Sequence, residues 1–151
     1  MGKYGYFDQT GKEYIITRPD TPKPWLNYIS NELYGVCLTQ TFNGFSVYKL
    51  PSGIKVTEKG KDYRPGKYIY VKDKEGSDFW TANWDPVQRK GQTFKCRHGL
   101  SYSIIESKYD KLEMSFRIFI PKEEPMEIWT LKIKNTGSKK RNLQIFPFIE
   151  W

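Results

Sequence analysis

The segment Cys96-Arg97-His98-Gly99-Leu100-Ser101-Tyr102 holds the only histidine of the chain and one of its two cysteines, so any nucleophilic or metal chemistry must be sought there first. A two-histidine metal site is excluded by count, and Cys37, Cys96 and the scattered carboxylates show no ligand spacing. Cys96 and His98 stand two apart. On a strand they share a face, but their functional atoms do not readily point at each other, which argues against a thiolate-imidazole pair. The reading preferred here makes Cys96 a small buried filler, His98 a hydrogen-bonded strand-end residue and Gly99 a backbone bend. Contact of Arg97 and His98 with a sugar or a neighbouring domain is the alternative. A second cluster lies in the DFWTANW segment, where Trp80 and Trp84 offer flat rings on which a pyranose face could stack. Packing in a core or against another domain is the plainer role for both. Asp62, Asp73, Glu75, Asp110, Glu123 and Glu124 sit beside Lys, Gly or Pro and read as exposed turn residues. Without burial or a charged neighbour such carboxyls are poor general acids. No catalytic residue and no metal ligand is assigned.

The elements that position these residues are read as strands. From position 112 the even residues Leu112, Met114, Phe116, Ile118 and Ile120 are apolar while Glu113, Ser115 and Arg117 face the other way, the period of a half-buried strand. Trp129, Leu131 and Ile133 repeat the pattern after the turn at 121–125, and 142–150 completes an expected three-stranded meander. Tyr34, Val36 and Leu38 share a face, and Asn43-Gly44 predicts a tight hairpin with positive φ before 45–49 returns. Further strands are expected at 3–7, 13–17, 67–71, 79–81, 92–97 and 101–107. The LNYIS stretch after Trp25 reads as at most a turn or two of helix, and no apolar period of 3.6 persists elsewhere. Regular strands punctuated by Gly and Pro predict an all-β, antiparallel β-sandwich as one domain over 1–151. The P-x-x-P match within 19–24 reads as a rigid surface connection rather than a partner motif.

Composition bounds the partners. Aromatic residues make up 17% of the chain, which suits pleated strands, and their buried ring area offsets a negative mean hydropathy that would otherwise suggest disorder. The net charge of +8 is concentrated at 55–74 and in the SKKR run at 138–141. Both read as solvated turns. Single-stranded nucleic acid is the weaker alternative. No apolar run precedes Tyr4, no segment approaches the length needed to span a bilayer, and no N-x-S/T acceptor occurs. A reduced, cytoplasmic chain with two thiols is expected.

Eight segments occur in one order: YGYFD at 4–8, EYIITRPDTPKPWLNYI at 13–29, DYRPGKYIYV at 62–71, DFW at 78–80, CRHGLSY at 96–102, IFIP at 118–121, EIWTLKIKNTG at 127–137 and FPFIEW at 146–151. In these the chain resembles the N-terminal super-β-sandwich of the inverting glycoside phosphorylases of glycoside hydrolase family 94, the cellobiose and chitobiose phosphorylases, formerly placed in glycosyltransferase family 36. The resemblance implies a non-catalytic portion of an enzyme that cleaves β-linked gluco- or aminogluco-disaccharides, with inorganic phosphate as co-substrate and no cofactor, to give an α-sugar 1-phosphate. Phosphate attacks the anomeric carbon in such a reaction, so one carboxylic acid that protonates the leaving oxygen suffices. The family carries that acid and its phosphate site in a later barrel. The implied partners are that catalytic barrel, an oligosaccharide and a second subunit in a homodimer. The family's sandwich continues past the FPFIEW position, so a truncated domain is expected. Departures at 35–41 and 48–62 leave the disaccharide open. A stand-alone carbohydrate-binding or subunit-interaction sandwich is the other reading.

Overall fold

The computed structural model describes residues 2–49, 53–57 and 66–151. Asp62 and the start of the DYRPGKYIYV segment lie outside them. Thirteen strands and no helix occur among the described residues. A six-stranded antiparallel sheet has the order β1 (Gly5–Phe7), β2 (Tyr14–Ile16), β9 (Lys95–His98), β10 (Tyr102–Tyr109), β11 (Leu112–Phe119) and β12 (Ile128–Asn135). A four-stranded sheet runs β3 (Asn27–Ser30), β4 (Tyr34–Leu38), β5 (Gly44–Tyr48) and β6 (Ile54–Lys55). The third sheet has β7 (Tyr68–Asp73) between β13 (Leu143–Phe148) and β8 (Phe79–Thr81).

The core lies where the large sheet meets the two small ones. Leu112, Met114, Phe116 and Ile118 all point inward from β11, as their even spacing requires, joined by Ile16, Cys96 and Ile105 from the neighbouring strands. Ile29, Val36 and Leu38 come from the four-stranded sheet, and Ile69, Val71 and Trp80 from the three-stranded one. Phe42 crosses to Phe116 at a ring separation of 5.1 Å, and the Trp80 indole N–H donates to Met114 Sδ at 3.2 Å. These are inter-sheet contacts, and the buried side chains of all three sheets of the all-β sandwich fall in one cluster.

Two turns show what local sequence does and does not fix. β10 and β11 join through Asp110 and Lys111, both at positive φ (44° and 62°), the geometry of a two-residue hairpin. The hairpin expected at Asn43-Gly44 exists, but Leu38 pairs with Gly44 across a five-residue turn in which Phe42, not Asn43, has positive φ. That conformation drops the Phe42 ring into the core. Gly44 is still required, because a Cβ there would lie 1.8 Å from the Cys37 carbonyl oxygen.

Other expectations are corrected. The LNYIS stretch forms strand β3 rather than helix, with Ile29 inward and the Asn27 amide donating to Gly99 O, Tyr102 O and Ser103 Oγ of the large sheet. The meander stops at β12. β13 instead pairs with β7 as an edge strand of the third sheet, a position that Pro147, with no N–H to donate, tolerates. Arg141 steers that crossing by bonding Asp73 Oδ2 and Asp110 Oδ2, each at 2.7 Å. Asp73 is accordingly a buried strand-end partner, not an exposed turn residue.

Lys67, counted above in a solvated basic stretch, is 1% exposed. Its Nζ donates to Glu127 Oε1 at 2.7 Å and to Ser46 Oγ at 2.8 Å, while Ser46 Oγ also donates to Glu127 Oε2 at 2.9 Å. Trp129 Nε1 donates to the same carboxylate at 3.0 Å, and its ring lies 5.7 Å from the ammonium. Ser46 belongs to β5, Lys67 leads into β7 and Glu127 leads into β12, so one polar cluster joins all three sheets. Removing one partner of such a pair strands the other charge. Glu127→Ala is expected to lower the unfolding free energy by about 3–5 kcal/mol, and the Lys67→Met/Glu127→Leu double variant to recover most of it. Urea denaturation measures both; a loss below about 1 kcal/mol for Glu127→Ala would contradict the assignment.

Candidate functional site

Arg97 and His98 leave β9 on opposite faces of the large sheet. On the outer face Arg97 Nε donates to Glu13 Oε2 at 2.7 Å and its Nη1 donates to Glu106 Oε1 at 3.0 Å. The Tyr102 hydroxyl donates to the other Glu13 oxygen, which raises the pKa of the phenol, and Lys95 pairs with Glu106. Arg117 lies over the Tyr102 ring at 5.0 Å. Glu13 is 5% exposed and was not picked out by the sequence reading. Both of its oxygens are engaged, so the network braces β2, β9 and β10 and leaves Glu13 no oxygen facing a substrate.

On the inner side His98 Nδ1 lies 2.8 Å from Ser103 Oγ and Nε2 lies 3.3 Å from the Trp25 carbonyl oxygen. A carbonyl only accepts, so Nε2 carries the proton and Nδ1 accepts from Ser103, a neutral imidazole. Burial lowers its pKa to about 4, the bond to Trp25 O acting the other way. Cys96 Sγ is 3.7 Å and 3.8 Å from the two ring nitrogens. The two side chains are in contact, but the sulfur is nearly equidistant from both nitrogens, each of which is bonded elsewhere, and burial pushes the thiol well up and holds it protonated. Cys37 is likewise a buried thiol, and neither cysteine forms a disulfide.

The tryptophans separate. Trp80 is 1% exposed in the core, against Tyr109 at 5.1 Å, and presents no face to a ligand. Trp84 stands at φ 80° in the connection from β8 to β9, half-buried, with Phe94 edge-on at 6.4 Å. Both line a cleft of about 650 Å³ between three loops. Gln40 ties two of them, accepting from Trp25 N at 3.1 Å and donating to Pro19 O at 2.8 Å. Asn43 donates to Asp85 Oδ2 and Gln88 to Asp85 Oδ1, both at 2.8 Å. The structure thus keeps Trp84 at a cleft, and gathers there the amides Gln40, Asn43, Gln88 and Gln92, which sequence reasoning missed because they lie far apart in the chain. Among the described residues no group of three His, Cys, Asp or Glu side chains could hold a metal ion.

The fold is an all-β sandwich of antiparallel sheets. Residues 12–151 match the family model described as the glycosyl hydrolase 94 supersandwich domain. The chain belongs to that family. It is 38% identical over 99% of its length to the N,N'-diacetylchitobiose phosphorylase of Vibrio furnissii, of which it covers 19%. It is 31% identical over its whole length to the solabiose phosphorylase of Paenibacillus borealis, covering 20% of that protein. It is also 36% identical over 95% of its length to a 3-O-beta-D-glucopyranosyl-beta-D-glucuronide phosphorylase of the same organism, covering 18%. The chain spans about a fifth of the length of these relatives.

His98 generates a pH prediction. Its folded pKa of about 4 lies below its ordinary value of 6.5, so the stabilisation is fully present above pH 6.5 and is lost as pH falls through 4. The loss amounts to at most about 3 kcal/mol. Urea midpoints of the parent should fall across that window more steeply than those of His98→Gln; parallel curves would mean that the imidazole is not held neutral.

Proposed function

We propose that the chain is the non-catalytic β-sandwich portion of an inverting glycoside phosphorylase that cleaves β-linked gluco- or aminogluco-disaccharides with phosphate, giving an α-sugar 1-phosphate. The observation that carries this reading is the match to the supersandwich domain over 12–151, set beside phosphorylases about five times the length of the chain. Chemistry on such a scaffold falls to the remaining segment, a catalytic barrel of the same enzyme. The engaged state of the Glu13 and Glu127 carboxylates supports a structural role for both. No helix among the described residues is long and apolar enough to cross a membrane, and two buried thiols accord with a reducing cytoplasm.

The side of the sandwich formed by β12 and β13 is the docking side in this reading. Both are edge strands, and Phe146, Phe148 and Trp151 are 48%, 43% and 75% exposed; Trp129 is half-buried against Phe116. Apolar surface left in water costs about 25 cal/mol per Å², and an unpaired edge is a template for further pairing. Covering by the barrel or by a second subunit relieves both, which supports a homodimer.

Two outcomes follow for the 151-residue chain. Incubated with phosphate and cellobiose or N,N'-diacetylchitobiose it should release no sugar 1-phosphate; measurable release would place the chemistry here and overturn the reading. Sedimentation over a hundredfold concentration range should show self-association through the β12–β13 side, reduced by Phe146→Lys; a monomer throughout would remove the argument for a docking side.

A further inference from the structure

We infer that the cleft around Trp84 is a saccharide-binding site on the sandwich itself, specific for the neutral end of an oligosaccharide. The inference does not rest on the phosphorylase reading. It concerns only side chains of this domain.

The cleft is built at the junction of the sheets. Its walls are the connection 17–24, the turn between β4 and β5, and the connection from β8 to β9, and its volume lies within the range of small-molecule sites, about 300–1,000 Å³. The hydrogen bonds of Gln40, Asn43 and Asp85 described above cross from one wall to another, so the walls are held before any ligand arrives. Trp84 is fixed from behind, where its carbonyl accepts from Thr81 Oγ1 and from Gln88 N, both at 2.8 Å. A positive φ at a bulky residue is disfavoured and persists only where the surroundings impose it. Here it brings an indole to the cleft.

The lining decides the ligand class. Trp84 and Phe94 give flat apolar surface, and Gln88, Gln92, Thr39 and Asp85 give hydrogen-bonding atoms. Arg18 is already bound to Asp20, its Nε donating at 2.8 Å, and among the described residues no other lysine or arginine lines the cleft. Among these residues a phosphate or sulfate finds no uncommitted guanidinium or ammonium, and anion recognition depends on such groups. Gln92 supplies the second observation. It is 7% exposed, its Nε2 donates to Thr81 O at 2.7 Å, and its Oε1 is buried with no hydrogen-bond partner among the described residues. Buried acceptors are seldom left unmade. A hydroxyl donates to Oε1 while a neighbouring pyranose face lies on the indole; a polyol supplies both features at once.

The apolar hollow beside Phe7, Tyr14, Trp25 and Leu100 competes for the same ligand but lacks such an amide array. Titration of the ¹⁵N-labelled chain with cellobiose and with N,N'-diacetylchitobiose distinguishes the two. The Trp84 indole N–H and the Gln92 side-chain amide should shift, half-saturating at about 1–10 mM for at least one sugar. Glucose 1-phosphate should bind at least tenfold more weakly. Gln92→Met and Trp84→Asn, the latter tolerant of positive φ, should each weaken binding at least tenfold. Gln88→Ala, at an exposed position, provides the same test should either variant fail to fold. Shifts centred on Trp25 and Leu100, no shift with either sugar, or unchanged binding by the folded variants would overturn the site; equal binding of glucose 1-phosphate would overturn its neutrality.

Discussion

Lys67 is taken out of water in a sheet protein that could have closed its core with an aliphatic side chain, and the arrangement of the three sheets turns on how that ammonium is satisfied. Glu127 and Ser46 reach it from two different sheets, and Trp129 caps it. A buried pair of this kind adds little net stability over apolar packing, since desolvation offsets most of the attraction. What it contributes is registry. Sheets that slide past each other keep hydrophobic contacts of similar worth, whereas the ammonium has partners in a single alignment. That alignment also sets the turn between β4 and β5 against the connection from β8 to β9, through Asn43 and Asp85 and through the bridge from Asn43 to Gly66. The Trp84 cleft is thus a consequence of how the sheets are locked together.

The outer and inner faces of the large sheet divide the remaining polar residues. Glu13, Arg97, Glu106 and Lys95 neutralise one another across β2, β9 and β10, and Tyr102 and Arg117 cover them. His98 and Cys96, the residues that most invite a catalytic reading, face inward and are held neutral by burial. A scaffold of this composition positions other groups. It accords with a domain that in its family accompanies a much longer polypeptide.

The inward set Leu112, Met114, Phe116 and Ile118 was legible because strand period and burial coincide when one face is covered. Most strands followed from the same rule. What escaped was set by distant partners. Asn27 begins a strand rather than a helix because its amide binds the large sheet, and β13 leaves the meander where Arg141 binds Asp73 and Asp110. Lys67 lies among solvated lysines in sequence, and nothing local marks it as buried. At the candidate site, Trp80 and Trp84 share a strand-like spacing of even parity, yet β8 ends at Thr81 and the chain turns at Trp84, so one ring enters the core and the other reaches the cleft. Gln92 carries no sequence signal at all, since its significance is an oxygen without a partner.

The central claim is that the three sheets form one unit locked at Lys67. Native-state amide hydrogen exchange addresses it most directly, by comparing Val36, Val71 and Phe116, one from the central strand of each group of pairs. All three should exchange only through global unfolding, with the same free energy and the same denaturant dependence. Exchange of Val36 or Val71 through a separate opening, with Phe116 still protected, would show that the small sheets detach on their own and would contradict the account.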